Sequence, residues 1–252
     1  MLADSFLKQI TPFRQNYRKG EMLYNKSIIR LMLDKRLTAC AKLVTGKRVC
    51  DIGTDHAYLV AELLSSGKCL SAVAADINEG PLSAAKATLE KYDVADKTDI
   101  ILSDGLENIP PDGITDIVIA GMGAEMILHI INQCKWIKKD INLILQPMTH
   151  APLLRKQLYA DGFEITKEIA VCDEDKCYAV MQVHFSGNIR ELSEVEQNAG
   201  FSDISIAESR EYVKRQYERI YKIGKSLSEA GRADEAKPYL TLAEKILSYI
   251  ER

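Results

Sequence analysis

Apolar positions along the chain change their spacing repeatedly, and each change marks an element. From Met32 onward, Leu33, Leu37, Cys40, Ala41 and Val44 recur at helical intervals, with Asp34 near the start and Gly46 after the end. Residues 47–52 read as a short apolar strand, and residues 57–66 as a helix stopped by Gly67. Residues 69–76 are a nearly continuous apolar strand. Gly80-Pro81 then opens a helix to about Tyr92, because proline is pre-set for the first helical turn. Residues 99–102, 115–120 and 141–145 are further strands. Helices follow the last two, one running from Gly121-Met122-Gly123 to about Lys135 and one over residues 152–160. Residues 163–171 and 178–185 form two closing strands around an acidic turn at Asp173 to Lys176.

Strands apolar on both faces need helices on both sides, which implies a mainly parallel, doubly wound sheet. The closing strand–turn–strand requires one antiparallel strand, since a short turn cannot join parallel neighbours. A Rossmann-like α/β sheet that ends in an antiparallel hairpin suggests the fold of class I S-adenosylmethionine-dependent methyltransferases.

Beyond residue 187 the spacing becomes heptad-like. Val213, Tyr217, Ile220, Gly224 and Leu227 step by four and three, as do Ala236, Leu240, Ala243, Leu247 and Ile250. Ala230-Gly231-Arg232 lies between the two runs and predicts an antiparallel helical hairpin, or coiled coil. From Glu208 to Lys225 the first helix carries six basic side chains against three acidic ones. That surplus suits either an ordinary solvated face or an arm that meets phosphates. The first 31 residues lack periodicity and are broken by Pro12 and Gly20. The expected division is an extension over 1–31, a methyltransferase domain over 32–187 and a helical domain over 188–252.

Composition narrows the function classes. Lys and Arg total 33 and Asp and Glu total 36, for a net charge of −3, so the chain is no general polyanion binder. No apolar run approaches the roughly 18–20 residues that span a bilayer, and the N-terminus has no signal-peptide pattern. A cytoplasmic protein is expected. The six cysteines form no C-x-x-C. Cys40, Cys50, Cys69 and Cys134 read as buried thiols, and Cys172 and Cys177 as neither a disulfide nor half of a metal site.

In an open α/β sheet, ligands lie beyond the carboxyl ends of the strands. There the chain is rich in acids and glycines. Asp51-Ile52-Gly53-Thr54-Asp55-His56 follows the first strand, and its single glycine argues against a dinucleotide, whose pyrophosphate needs G-x-G-x-x-G. Asp76 ends the second strand, where a carboxylate can accept both hydroxyl hydrogens of a ribose. Asp104-Gly105 ends the third and can accept from an exocyclic amine of adenine. Gly121-Met122-Gly123 and Gln146-Pro147 follow the fourth and fifth. The plainer alternatives are helix N-caps at Asp55 and at Asp76 or Asn78, and simple turns elsewhere.

Asp51 to Leu59, Asp76, Asp104-Gly105-Leu106, residues 119–123, residues 143–147 and Glu174 to Tyr178 together closely resemble the bacterial tRNA (adenine-22 N1)-methyltransferases of the TrmK type. The likeness runs from about Leu33 to Phe185, and the helical hairpin looks like that family's coiled-coil domain. Ala124 and Met148 depart from the family's usual Gly and Asn. The resemblance implies S-adenosylmethionine as cofactor and N1 of an adenine in the D-arm of tRNA as acceptor, with no metal. The cofactor positions it implies are Arg36, Asp51, Gly53, His56, Asp76, Ile77, Asp104, Gly105, Leu106, Gly121 and Met122; the catalytic candidates are Asp55 and Gln146.

Adenine N1 carries a free lone pair and needs no prior deprotonation, so the expected roles are positioning and charge matching. Asp55 could offset the positive charge of the methylated ring or take the proton later lost from N6. The rival readings are a methyltransferase of another substrate, a nicotinamide dehydrogenase and an inactive RNA-binding relative.

Overall fold

The computed structural model describes residues 33–251, apart from 135, 139 and 174. The expected extension over 1–31 lies outside the described residues. Helix α1 (Lys35–Leu43) starts at Asp34, whose side chain accepts from the Leu37 N–H at 2.8 Å. There follow β1 (Arg48–Ile52), α2 (Tyr58–Ser65), β2 (Ser71–Asp76), α3 (Glu79–Lys91), β3 (Thr98–Leu102), β4 (Asp116–Gly123), α4 (Ala124–Gln133) and β5 (Asn142–Thr149). The chain continues through α5 (Ala151–Ala160), β6 (Phe163–Cys172), β7 (Cys177–Phe185), α6 (Glu194–Ala199), α7 (Ala207–Glu229) and α8 (Ala233–Ile250).

The seven strands form one sheet in the order β3-β2-β1-β4-β5-β7-β6. All are parallel except β7, which is antiparallel to both β5 and β6. The doubly wound sheet with a terminal hairpin is therefore present. The order reverses between β1 and β4, the switch point where such sheets bind ligands.

Alternation along the strands sorts two apolar layers. Cys50, Ile52, Val73, Ala75, Ile117, Ile119 and Leu143 face one side, under α4 and α5. Val49, Ala72, Ala74, Val118 and Ile144 face the other, under α1, α2 and α3. The helical hairpin is present, and its base joins the first layer through Tyr212, Val213, Ile220, Ala243 and Ile246.

Three features differ from the sequence reading. Strands β4 and β5 run on through Gly121-Met122-Gly123 and Gln146-Pro147, which read as turns; they stay paired, Met122 with Pro147 and Gly123 with Thr149, across two irregularities of register. Helix α6 was not expected, although Ser193 and Glu196 close a full capping box at its start. The third is covalent: Cys172 and Cys177 form a disulfide, where two free thiols were expected. Hairpin register explains it, because the two residues are direct cross-strand partners at the tip. The other four cysteines are free and buried, as expected, and burial raises the Cys40 and Cys50 thiols well above their ordinary value.

Candidate active site

Three acid-bearing turns are stitched together at the carboxyl edge of β1, β2 and β3. The Gly53 and Thr54 N–H groups both donate to the Ala75 carbonyl, at 2.8 and 3.0 Å, which pins the turn after β1 onto the end of β2. The Ser103 N–H donates to the Asp76 carbonyl at 2.9 Å and does the same for the turn after β3. Inside that third turn the Ser103 hydroxyl donates to the Gly105 carbonyl and accepts from the Asn108 N–H. Gly105 adopts φ +54° and sits so close to Ile130 and Gln133 that a side chain there would crowd them.

The acids themselves are left largely open. Among the described residues Asp76 accepts one hydrogen bond, from the Asn78 N–H at 2.8 Å. Asn78 stands at the N-cap of α3, so Asp76 is not that helix's cap. Asp55 is exposed, and among the described residues it approaches His56 Nε2 alone, at 3.6 Å. Ala57, not Asp55, occupies the N-cap of α2, and it does so in the left-handed region at φ +52°, a conformation that costs a non-glycine residue about 1 kcal/mol or more. The plain capping alternatives for Asp55 and Asp76 are thereby removed. Asp104 is exposed, with Ile77 and Leu102 as exposed apolar neighbours in sequence and register.

Asp51 is the buried member, 8% exposed. Burial pushes its carboxyl up to about 7; the Asp76 charge adds to this, and the nearby Thr54 hydroxyl opposes it. That hydroxyl is buried without a bond of regular geometry. Two polar groups are thus desolvated at the first turn with incomplete partners, an arrangement that is costly unless a ligand completes it. Thr54 was passed over in the sequence, where only its place inside the motif pointed to it.

The other half of the edge is closed. Gln146 is fully buried, and its Oε1 accepts from Arg36 Nη1 at 2.7 Å and from the Gly121 N–H at 3.0 Å. Its Nε2 donates to the Pro147 carbonyl at 2.9 Å. Arg36 also binds Asp34 and lies over the Tyr178 ring, 5.8 Å from its centroid. Met122 reaches from this half to the other, because a Cβ on Gly53 would collide with its terminal methyl. Gly53 has φ +77°, so its backbone favours glycine. His56 stacks on Tyr58 at 5.5 Å, and buried Leu106 supports the third turn from below.

Among the described residues no group of three His, Cys, Asp or Glu side chains is arranged to hold a metal ion, and no helix is long and apolar enough to cross a membrane. The model of a family described as a methyltransferase domain matches residues 33–181. The chain belongs to that methyltransferase family. A tRNA (adenine(22)-N(1))-methyltransferase of Bacillus subtilis (strain 168) is 36% identical over 153 residues, which cover 60% of this chain and 64% of that relative. The match thus spans less than two thirds of the Bacillus protein. Two solved structures are similar over most of this chain. One is a putative tRNA (m1A22) methyltransferase of Streptococcus pneumoniae in complex with S-adenosyl-L-methionine, at TM-score 0.75 and 27% identity, covering 86% of this chain and 100% of that one. The other is TrmK of M. capricolum with S-adenosyl-homocysteine, at TM-score 0.71 and 26% identity, covering 87% and 98%.

Proposed function

We propose that this protein transfers a methyl group from S-adenosylmethionine to N1 of adenine 22 in the D-arm of tRNA. The observation that carries the reading is the open acidic half-edge, three turns wide, facing a closed half-edge across the Gly53–Met122 contact. The similar Streptococcus structure holds S-adenosyl-L-methionine, and the Bacillus relative acts at adenine 22 of tRNA by name.

The residues present suit that cofactor. Asp76 has free acceptor capacity for the ribose hydroxyls. Asp104 can accept from the adenine amine, with the exposed Ile77 offering apolar surface to the ring. Asp51 and the buried Thr54 hydroxyl suit the ammonium and carboxylate end, with His56 beside them. The bound cofactor supplies a sulfonium methyl that leaves by in-line displacement. Glycine at 53 and 121 would leave the backbone free of side chains beside that group, and Met122 would wall it.

Asp55 is the catalytic group of this reading. Its exposed carboxylate stands on the rim, where it can balance the positive charge that develops on the adenine ring. Gln146 has both ends of its amide bound inside the protein, so its role is to fix the Gly121 peptide; Arg36 clamps Gln146 in turn. Adenine N1 lies on the pairing edge, so the base must be unpaired or extruded before it reacts. Helices α7 and α8 form the arm that meets tRNA. Arg219, Lys222 and Arg232 line one groove on it, with a volume of about 520 Å³. Such a substrate places the reaction in the cytoplasm.

The test is methyl transfer to total tRNA followed by nucleoside analysis. The expected product is 1-methyladenosine. Its absence from a protein that binds S-adenosylmethionine would overturn the substrate.

A further inference from the structure

Away from the strand-edge acids, five hydrogen bonds converge on one buried ion pair. Arg155 on α5 and Glu168 on β6 both have fully buried side chains. Arg155 Nη2 and Nε donate to the two Glu168 oxygens at 2.5 and 3.2 Å. Nη1 donates to the Gln197 carbonyl at 2.7 Å, and Nη2 also donates to the Tyr212 hydroxyl at 2.9 Å. The Phe201 N–H donates to Glu168 Oε2 at 3.1 Å. The pair therefore ties α5, β6, α6, the α6–α7 connection and α7 at one point. Gly200 adopts φ +76° beside it, and a side chain there would collide with both charged groups.

A buried ion pair is a costly way to hold elements together, since apolar side chains of similar volume often stabilise as well or better. What the guanidinium adds is direction, because its planar fork fixes several partners at set angles. The position of the fork gives that direction a use. Helix α5 begins just after β5, whose Gln146 holds the Gly121 peptide. Helix α7 forms the opposite wall of a cavity of about 180 Å³ between Gln216 and Arg219 on one side and residues 147–152 on the other. The network is thus the joint between the methyl-transfer edge and the long hairpin.

We propose that Arg155 is a positioning residue that, acting through Tyr212, sets the angle at which the α7–α8 hairpin leaves the sheet and so places a bound RNA relative to the methyl-transfer edge. The RNA half of this statement rests on the function proposed above; the angular half does not.

Two variants test it, with two readouts. Tyr212→Phe removes one hydroxyl and keeps the ring. Arg155→Met with Glu168→Met replaces the pair by apolar side chains. Spin labels at Ser228→Cys on the hairpin tip and Glu90→Cys on α3 report the distance between the hairpin and the sheet; the four free native cysteines are buried. The expected result is a broadened or shifted distance distribution in both variants, with the double variant also melting lower than wild type, because the Gln197 carbonyl, the Tyr212 hydroxyl and the Phe201 N–H lose their buried partners. On tRNA, the KM rises about fivefold or more while kcat at saturating RNA and S-adenosylmethionine affinity hold. Unchanged distances in both variants overturn the proposal, as do changed distances with an unchanged KM on a tRNA that wild type methylates. Changed distances in a protein that methylates no tRNA support the angular brace and sink only the substrate reading. Should the double variant not fold, Tyr212→Phe decides alone.

Discussion

Asp116 begins β4 and Asp76 ends β2, and the protein treats the two carboxylates in opposite ways. Asp116 is fully buried at the amino edge of the sheet. One of its oxygens accepts from the Thr45 N–H at 2.9 Å and the Asn142 amide at 2.6 Å, the other from the Gly46 N–H at 2.7 Å and the Thr115 hydroxyl at 2.8 Å. Asp76, at the carboxyl edge, accepts one backbone N–H and keeps the rest of its capacity. An acid whose lone pairs are filled by its own chain serves the fold. An acid left open at a strand end has capacity to spare for a ligand. Burial does not separate the two, since Asp51 is buried yet incompletely bonded; hydrogen-bond accounting does.

Four substitutions can break or sharpen this contrast. The largest effect is expected at Asp116→Ala, which strands several buried donors and should cost about 3–5 kcal/mol of stability in a denaturant titration. A loss under about 1 kcal/mol would end the distinction.

Asp51→Asn comes second and is read as a pH dependence. The folded carboxyl is raised from 3.8 to about 7. The protonated form is thus favoured by folding, so stability is fully present below about pH 4 and declines as pH rises through 7. The decline amounts to at most about 4 kcal/mol. Asp51→Asn should flatten it and melt higher than wild type above pH 7, with the gap closing in acid. Parallel melting profiles across that range would contradict the raised value.

Asp76→Ala should leave stability within about 1 kcal/mol while weakening S-adenosylmethionine binding about 10–100-fold by calorimetry. Equal affinities would remove the ribose assignment. The smallest effect is expected at Asp55→Ala, with turnover down about tenfold and cofactor affinity nearly constant. A matching fall in affinity would make Asp55 a binding group instead.

Most of the fold was legible because alternating strands and helices announce themselves by period. The order of acids at strand ends was legible too, since Asp51, Asp76 and Asp104 each close an apolar run. The extended β4 and β5 were not, because Gly-Met-Gly and Gln-Pro carry turn chemistry and only pairing across the bulges keeps them in the sheet. The disulfide depended on hairpin register, which spacing alone does not give. Arg155 was not singled out in the sequence, because a buried charge betrays itself only through partners far away in sequence, at 168, 197 and 212. Gln146 was noticed as polar, but its closed set of bonds was not foreseeable.

The order β5-β7-β6 has a consequence for synthesis. Strand β6 leaves the ribosome before β7 yet cannot dock on β5, because its neighbour in sequence must slide between them. Until residue 185 has emerged, the nascent sheet therefore ends in a naked row of amides and carbonyls along β5, a template for sticking to other chains. Truncated products ending within β6 should accumulate in inclusion bodies, while those ending after β7 should not.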